Sequence, residues 1–406
     1  MFEKASMVSR RKVLGILALF FLFSLWLPVR SQDGNQTSFA SFAYFIDKLK
    51  FPLKKVGQIW ATPRSVYEGP FHTNDELHIF LPPNYFEEMH LPFFRGPVST
   101  SGTSIVYYKG YGPKDVAGQN DPKRFRMIFG GEVKTGVPTI PLPDYPGQTA
   151  KEGALAGIPL EKIPQGSLLF LPHDSNNHLT GGIVVKGNLD RLTFSVDSNH
   201  NEVIRLEADK KITTVEVAFG QGKTYVIDAS EKTTPYDGIP NGAIYVSGDL
   251  GKRGQESGVS GKVKGQWTVS SDGDIFIPDS LLYSDTSAGS QPTGTDTLAL
   301  IGRNVFVTKE APEMLFLYAT IFAGKKEGKE MSGTFFVLPN SDSPHNGQLI
   351  WWGNYIGAYP AIMGRFEQAT GDSKDGYDLH KFYDARLAKN PPPFFPTLNQ
   401  ANVSTK

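Results

Sequence analysis

From Ala61 onwards, apolar residues alternate with polar ones over short runs that Gly, Pro, Asn and Asp interrupt. Period-two alternation puts every second side chain on one face, which predicts half-buried strands. Two runs share one phrase: Gly182-Ile-Val-Val-Lys-Gly-Asn-Leu189 and Gly242-Ala-Ile-Tyr-Val-Ser-Gly-Asp-Leu250. Shorter echoes follow in Asp274-Ile-Phe-Ile-Pro278 and Arg303-Asn-Val-Phe-Val-Thr308. Each is a strand that fills a core and ends at a Gly-Asn/Asp corner, where the backbone turns with positive φ. Stacked strand-corner units make a solenoid in which each rung covers the edge of its neighbour. The irregular spacing excludes a strict short repeat. The expected fold is mainly β, an elongated β-solenoid or β-helix-like domain after an N-terminal hydrophobic helix, with a β-sandwich as the alternative.

The pattern differs at the start. Phe39, Phe42, Phe45, Ile46 and Leu49 fall at helical spacing, predicting a helix over Ser38–Leu49 that Pro52 ends. Residues 110–166 are rich in Gly and Pro and predict an irregular excursion packed on the sheet, or a loop. Upstream, Ser9-Arg10-Arg11-Lys12 precedes the uncharged stretch Val13–Val29. A basic flank, an apolar run and then polar residues form an export signal. Val29-Arg30-Ser31 offers a cleavage site before Gln32, and the run also approaches the length of a membrane anchor. The expected organisation is residues 1–31 as signal peptide or anchor, 32–60 as a short helical linker, 61–396 as the β domain and 397–406 as a disordered tail.

Composition narrows the function classes. Among 406 residues, 41 basic side chains balance 41 acidic ones, where a nucleic-acid binder carries a basic excess. The absence of cysteine removes thiolate metal sites, cysteine nucleophiles and disulfides together. High Gly (42) and Pro (29) fit a turn-rich β chain.

Candidate chemistry is sparse. His72, Asn74, Glu76 and His78 share one strand face, a legitimate zinc set by type. An extended strand separates the two histidines by about 20 Å, so the expectation is a polar face beside the Gly69-Pro70 turn. Asp197–Glu202 mimics the start of a calcium loop, but Glu202 and Ala208 stand where its Gly and bidentate Glu belong. A hairpin turn between Leu192–Val196 and Val203–Leu206 is expected instead. Gly222-Lys-Thr224 mimics a phosphate loop, with Val217 in place of its first Gly and strand-like Tyr225-Val-Ile227 in place of its helix. Asp249, Asp272, Asp274 and Asp279 could supply paired carboxylates for polysaccharide cleavage. Each sits beside Gly, Ser or Pro, where acidic residues form corners. Trp351 and Trp352 could stack on sugars, and adjacent strand residues face opposite ways, so at most one of them is exposed. In the proline run closing the chain, polyproline geometry predicts an extended segment with Phe394 and Phe395 docked on the last rungs.

Several segments, in order, resemble an uncharacterised bacterial envelope domain of minor-pilin-like proteins associated with type IV pili. They are Phe42–Lys48 (FAYFIDK), YEGPFHTND, Pro92–Gly102 (PFFRGPVSTSG), Gly181–Phe194, Asn241–Leu250 and Gly376–Pro396. The resemblance implies a non-enzymatic surface or pilus-assembly component with a β-rich, solenoid-like body, and it brings no catalytic residues. One departure concerns processing: a prepilin carries Glu five residues after its cleavage Gly, whereas Phe20 follows Gly15 here.

The expected function is therefore a non-enzymatic structural component of the bacterial envelope, associated with pilus or secretion assembly or acting as a surface adhesin. The alternative is a polysaccharide-binding or polysaccharide-cleaving solenoid. No catalytic residue, cofactor or metal is assigned. Expected partners are other envelope or pilus proteins, the membrane through residues 13–29 if uncleaved, and surface polysaccharide, with no nucleic acid. The chain is expected to be exported, and then membrane-anchored, periplasmic or at the cell surface.

Overall fold

Sequential runs of the chain feed three sheets in rotation. Strand Gly258–Val263 enters one sheet, Gln266–Ser271 a second and Ile275–Ile277 a third; Leu281–Tyr283 then returns to the first. The cycle repeats through Thr297–Gly302, Val305–Val307, Met314–Tyr318, Thr320–Ala323, Phe335–Val337, Gly347–Trp352, Tyr355–Gly357 and Tyr377–Phe382. A computed structural model describes residues 37–50, 61, 65–81, 91–109, 122–338, 347–365 and 375–398. These residues form a mainly β structure. The apolar stretch Val13–Val29 and its cleavage site lie outside them, as do residues 399–406 of the expected tail.

Sheet I has ten strands, every neighbour parallel. Its spatial order is not the chain order. Ile183–Val185 stands at one edge, followed by Ala243–Val246, Gln266–Ser271, Thr297–Gly302, Thr320–Ala323 and Tyr355–Gly357. The next strand is Tyr44–Ile46, followed by Phe71–Thr73, Val98–Thr100 and Val133–Thr135 at the far edge. Tyr44–Ile46, the first described strand, is thus stacked onto a strand more than 300 residues later, in the register Tyr44↔Tyr355, Phe45↔Ile356 and Ile46↔Gly357.

This pairing overrides the helix expected over Ser38–Leu49. A short 3₁₀ turn, Phe39–Ser41, precedes the strand Tyr44–Ile46, whose three residues are all buried. A segment with a partner strand on each edge and apolar cover on both faces gains more as a strand than its helical spacing offers. Residues 37–50 of the expected linker therefore belong to the β body, and its residues 51–60 lie outside the described residues. At the other end Thr397 bridges Ser38, and Leu398 donates to the Thr37 carbonyl, so the body extends past Pro396.

Sheet II runs parallel from Arg191–Val196 through Gly258–Val263, Leu281–Tyr283, Met314–Tyr318 and Gly347–Trp352 to Tyr377–Phe382. On its other side an antiparallel meander adds Glu202–Ala208, Lys211–Ala218, Lys223–Ile227 and Thr233–Asp237. The expected hairpin is its first turn, where Asp197 Oδ1 accepts from the backbone N–H of Asn199 and Asn201. Sheet III is narrow: Ile275–Ile277, Val305–Val307 and Phe335–Val337, continued by bridges Leu189↔Leu250 and Leu250↔Ile275. Those are the echoed phrases of the sequence, on successive levels.

The central strands of sheet I are buried on both sides, as in Thr297–Gly302, whereas Glu202–Ala208 alternates and the edge strand Val133–Thr135 is largely exposed. The inner face of sheet I joins the main core with Ile244, Val269, Leu300 and Ile321. Its outer face is covered by Leu142, Leu387 and Phe395, and near the Ile183–Val185 edge by helix Gln148–Leu155. The excursion after Thr135 is thus packed on the sheet, and it contains that helix, absent from the sequence reading because eight residues hold little periodicity. A second short helix, Pro122–Ile128, was missed for the same reason. The closing proline run also lies on this outer face: Thr268 Oγ1 donates to the Pro393 carbonyl, and Phe395 packs near Phe322. Phe395 docks on a central strand, while Phe394, at positive φ in a turn, packs against helix Gln148–Leu155 near the Ile183–Val185 edge, so neither sits on the last levels.

Candidate functional site

The opening histidines belong to two strands. Phe71–Thr73 lies in sheet I, a turn follows, and Leu77–Leu81 pairs with Ile105–Lys109. The single strand face expected for His72 and His78 therefore does not exist. His72 is buried; its Nε2 donates to Asn74 Oδ1 at 3.0 Å, so in the neutral ring Nδ1 accepts from Ser99 Oγ at 2.8 Å. Burial lowers its pKa and keeps it neutral. His78 lies 3.4 Å from Glu76 and stacks on Tyr108. Among the described residues no group of three or more His, Cys, Asp or Glu could hold a metal ion.

The aspartates do come together, along the edge between sheets I and III. Asp249 Oδ1 accepts from the Asp274 N–H at 2.7 Å, and Asp274 Oδ1 from the Asn304 N–H at 3.2 Å. Asn188 Oδ1 begins the same ladder on the Asp249 N–H at 2.9 Å, and Asn304 Oδ1 ends it on the Thr334 N–H at 3.2 Å. Each corner side chain thus satisfies the backbone of the next level, where the sheets no longer can. Arg303 clamps Asp274 through Nε at 2.9 Å and Nη2 at 2.8 Å. Asp279 Oδ1 accepts from the adjacent Ser280 N–H.

Asp272 sits in a cluster where several titratable side chains converge. Tyr145 from the covering segment and Tyr245 from sheet I each donate a phenolic hydrogen to its carboxylate, the latter at 2.7 Å. Lys151 of helix Gln148–Leu155 stands 3.8 Å from the same carboxylate and 5.1 Å from the Tyr245 ring. Lys325 donates to the Asp272 carbonyl at 2.8 Å. Burial first, then the neighbouring carboxylate, raises both phenol pKa values, so both tyrosines stay protonated donors. The arrangement fastens the covering segment to the sheet.

Trp351 and Trp352 are not at that edge. They precede the corner at Gly353 where sheet II passes into sheet I, with Trp351 fully buried and its Nε1 donating to the Ala319 carbonyl at 2.8 Å. Trp352 faces outward, half-buried and stacked on Phe382 at 4.5 Å. The aspartates and tryptophans therefore share no groove.

Several buried charges escaped the sequence reading, Lys381 and Glu202 among them. Lys381 is buried, donating to the carbonyls of Ala43 at 3.0 Å and Gly353 at 2.9 Å, with Tyr44 3.9 Å away. Burial holds its pKa well below the usual lysine value. The signal was present: in Tyr377–Phe382 it occupies an inward position of the alternation, with Tyr377 and Leu379. Glu202 is wholly buried; Oε2 accepts from the Lys264 N–H at 2.7 Å, Oε1 has no partner, and burial raises its pKa to about 9. An open groove of about 570 Å³ lies between Leu168–Leu171 and the meander, with His173, Lys211 and Tyr236 in its lining.

No protein-family model, curated protein or solved structure matches this chain. Among the described residues no helix is long and apolar enough to cross a membrane.

Proposed function

We propose that this chain is a non-enzymatic structural component of the bacterial envelope, associated with pilus or secretion assembly or with surface adhesion, built on a three-faced parallel β-solenoid. The observation that carries the reading is where the candidate chemistry goes. Asp249 and Asp274 hold the backbone of the next level, Asp272 binds two phenols, and Lys381 binds two carbonyls. Groups used to hold a repetitive backbone support a scaffold. The basic flank before Val13–Val29 and the resemblance to the pilus-associated envelope domain support export and this location.

Mass spectrometry of the mature N-terminus, in envelope and sheared filament fractions, tests the reading. A start at Ile16 places the chain in the pilus, and an intact Met1 makes it a membrane-anchored component. A start at Gln32, with the protein freely soluble and alone, overturns the assembly role.

Polysaccharide binding is the second reading, favoured by one observation. Phe276, Phe306 and Phe336 line up along sheet III, the first pair stacked at 5.0 Å and the second tilted at 6.2 Å, and with Ile275 and Ile277 in the core, Phe276 faces the other way. Retention on immobilised envelope polysaccharide, lost in Phe306→Ala, would favour this reading.

A further inference from the structure

Sheet I contains a join between two strands that are not consecutive in the chain, Tyr44–Ile46 and Tyr355–Gly357. Strands 44–46, 71–73, 98–100 and 133–135 form one block, and it docks on Tyr355–Gly357 through contacts that are all non-covalent. Beside the ladder, Asn354 Nδ2 donates to the Ala40 carbonyl at 2.6 Å, Tyr383 Oη to the Ser41 carbonyl at 3.1 Å, and Lys381 to that of Ala43. We infer that this N-terminal block exchanges between copies, so that the Tyr355–Gly357 edge receives Tyr44–Ile46 from a second copy of this chain.

The connection between block and receiver is a tether. From Thr135, at the far edge of sheet I, the chain returns across seven strand spacings to Gly147, which lies against Ser270. Seven spacings of about 4.8 Å come to about 34 Å, and the twelve residues available reach at most about 43 Å. The segment is therefore close to taut. It joins no sheet; it is fastened by Asn74 on Ile140, Lys326 on Asp144 and Asp272 on Tyr145. Short, strained connections favour exchange between protomers. The contacts at the join are the same within one chain or between two, so exchange leaves the interface unchanged.

Synthesis order adds a second reason. Ala40 meets Asn354 across a separation of 314 residues. Until the receiver exists, Tyr44–Ile46 presents an apolar strand edge, the kind of surface that pairs with another chain. A neighbouring copy whose receiver is complete offers an identical site. The inference stands independently of the envelope role.

The test uses the full chain in mild detergent, with Ser38→Cys and Thr397→Cys. These residues form an antiparallel bridge across the join, and such opposed positions lie within disulfide reach. The chain has no other cysteine. Isotopically light and heavy chains are unfolded together, refolded at increasing concentration and oxidised. Exchange gives light–heavy 38–397 peptides, confined to the dimer and larger fractions. Only light–light and heavy–heavy peptides at every concentration overturn the inference. If the pair does not oxidise, deletion of residues 137–139 decides, because the remaining tether reaches at most about 32 Å, short of the span. A doubled mass by light scattering supports exchange, and a folded monomer overturns it.

Discussion

Lys381 Nζ donates to the carbonyl of Ala43 at 3.0 Å, across 338 residues of sequence. With its second bond, to Gly353, this buried side chain pins the first described strand to the last levels. Lys381→Met removes both bonds and leaves the Gly353 carbonyl without its donor. The expected loss is about 1–3 kcal/mol, with faster amide exchange at Tyr44–Ile46. The pH dependence has a definite sign. Burial lowers the folded pKa, so below the unfolded value near 10.5 the unfolded state binds more protons, and this contribution grows as pH rises toward that value. Urea unfolding at pH 7 and 9.5 should show the parent gaining over the variant.

Glu202 has the opposite dependence. Its folded pKa of about 9 lies above the unfolded value of 4.5, so the folded state holds a proton that the unfolded state has lost. Stability falls by up to about 1.4 kcal/mol per pH unit across that window. The groups facing it are the Lys264 N–H, which favours the charged form, and Asp296, which opposes it. Glu202→Gln should flatten the fall between pH 5 and 9 and raise Tm at pH 8. A melting series that keeps the parent's slope would refute the assignment.

The corner ladder predicts a graded response. Asp274 accepts from Arg303 twice and from Asn304 twice. Asp274→Ala should cost about 1–2 kcal/mol, because four bonds to a charged group are lost and their part-buried donors turn to water. Asp274→Asn keeps an acceptor for the Asn304 N–H and should cost about half as much by chemical denaturation.

Two glycines separate backbone strain from close approach. Gly333 (φ +131°) would place a Cβ 1.9 Å from the Arg303 carbonyl oxygen, whereas Gly187 (φ +123°) would meet nothing within 4 Å. Gly187→Ala should cost about 1–2 kcal/mol from φ alone. Gly333→Ala must also displace the neighbouring level, so soluble yield should collapse for that variant only.

The sequence by itself determined the strand character and the corners. Inward Leu189, Leu250, Ile275 and Val305, each after Asn or Asp, were legible because alternation and corner chemistry are local. The same locality explains the buried Trp351 beside the half-exposed Trp352. What tertiary structure decided is long-range. Phe39–Leu49 has helical spacing, and only a partner more than 300 residues away by the Ala40–Asn354 separation makes it a central strand. Asp272 could be read as a corner residue or as half of a catalytic pair; its two tyrosines, one of them 127 residues away, settled which groups it binds. Local pattern fixes what each segment can become, while pairing energy between distant edges fixes which of those forms it takes.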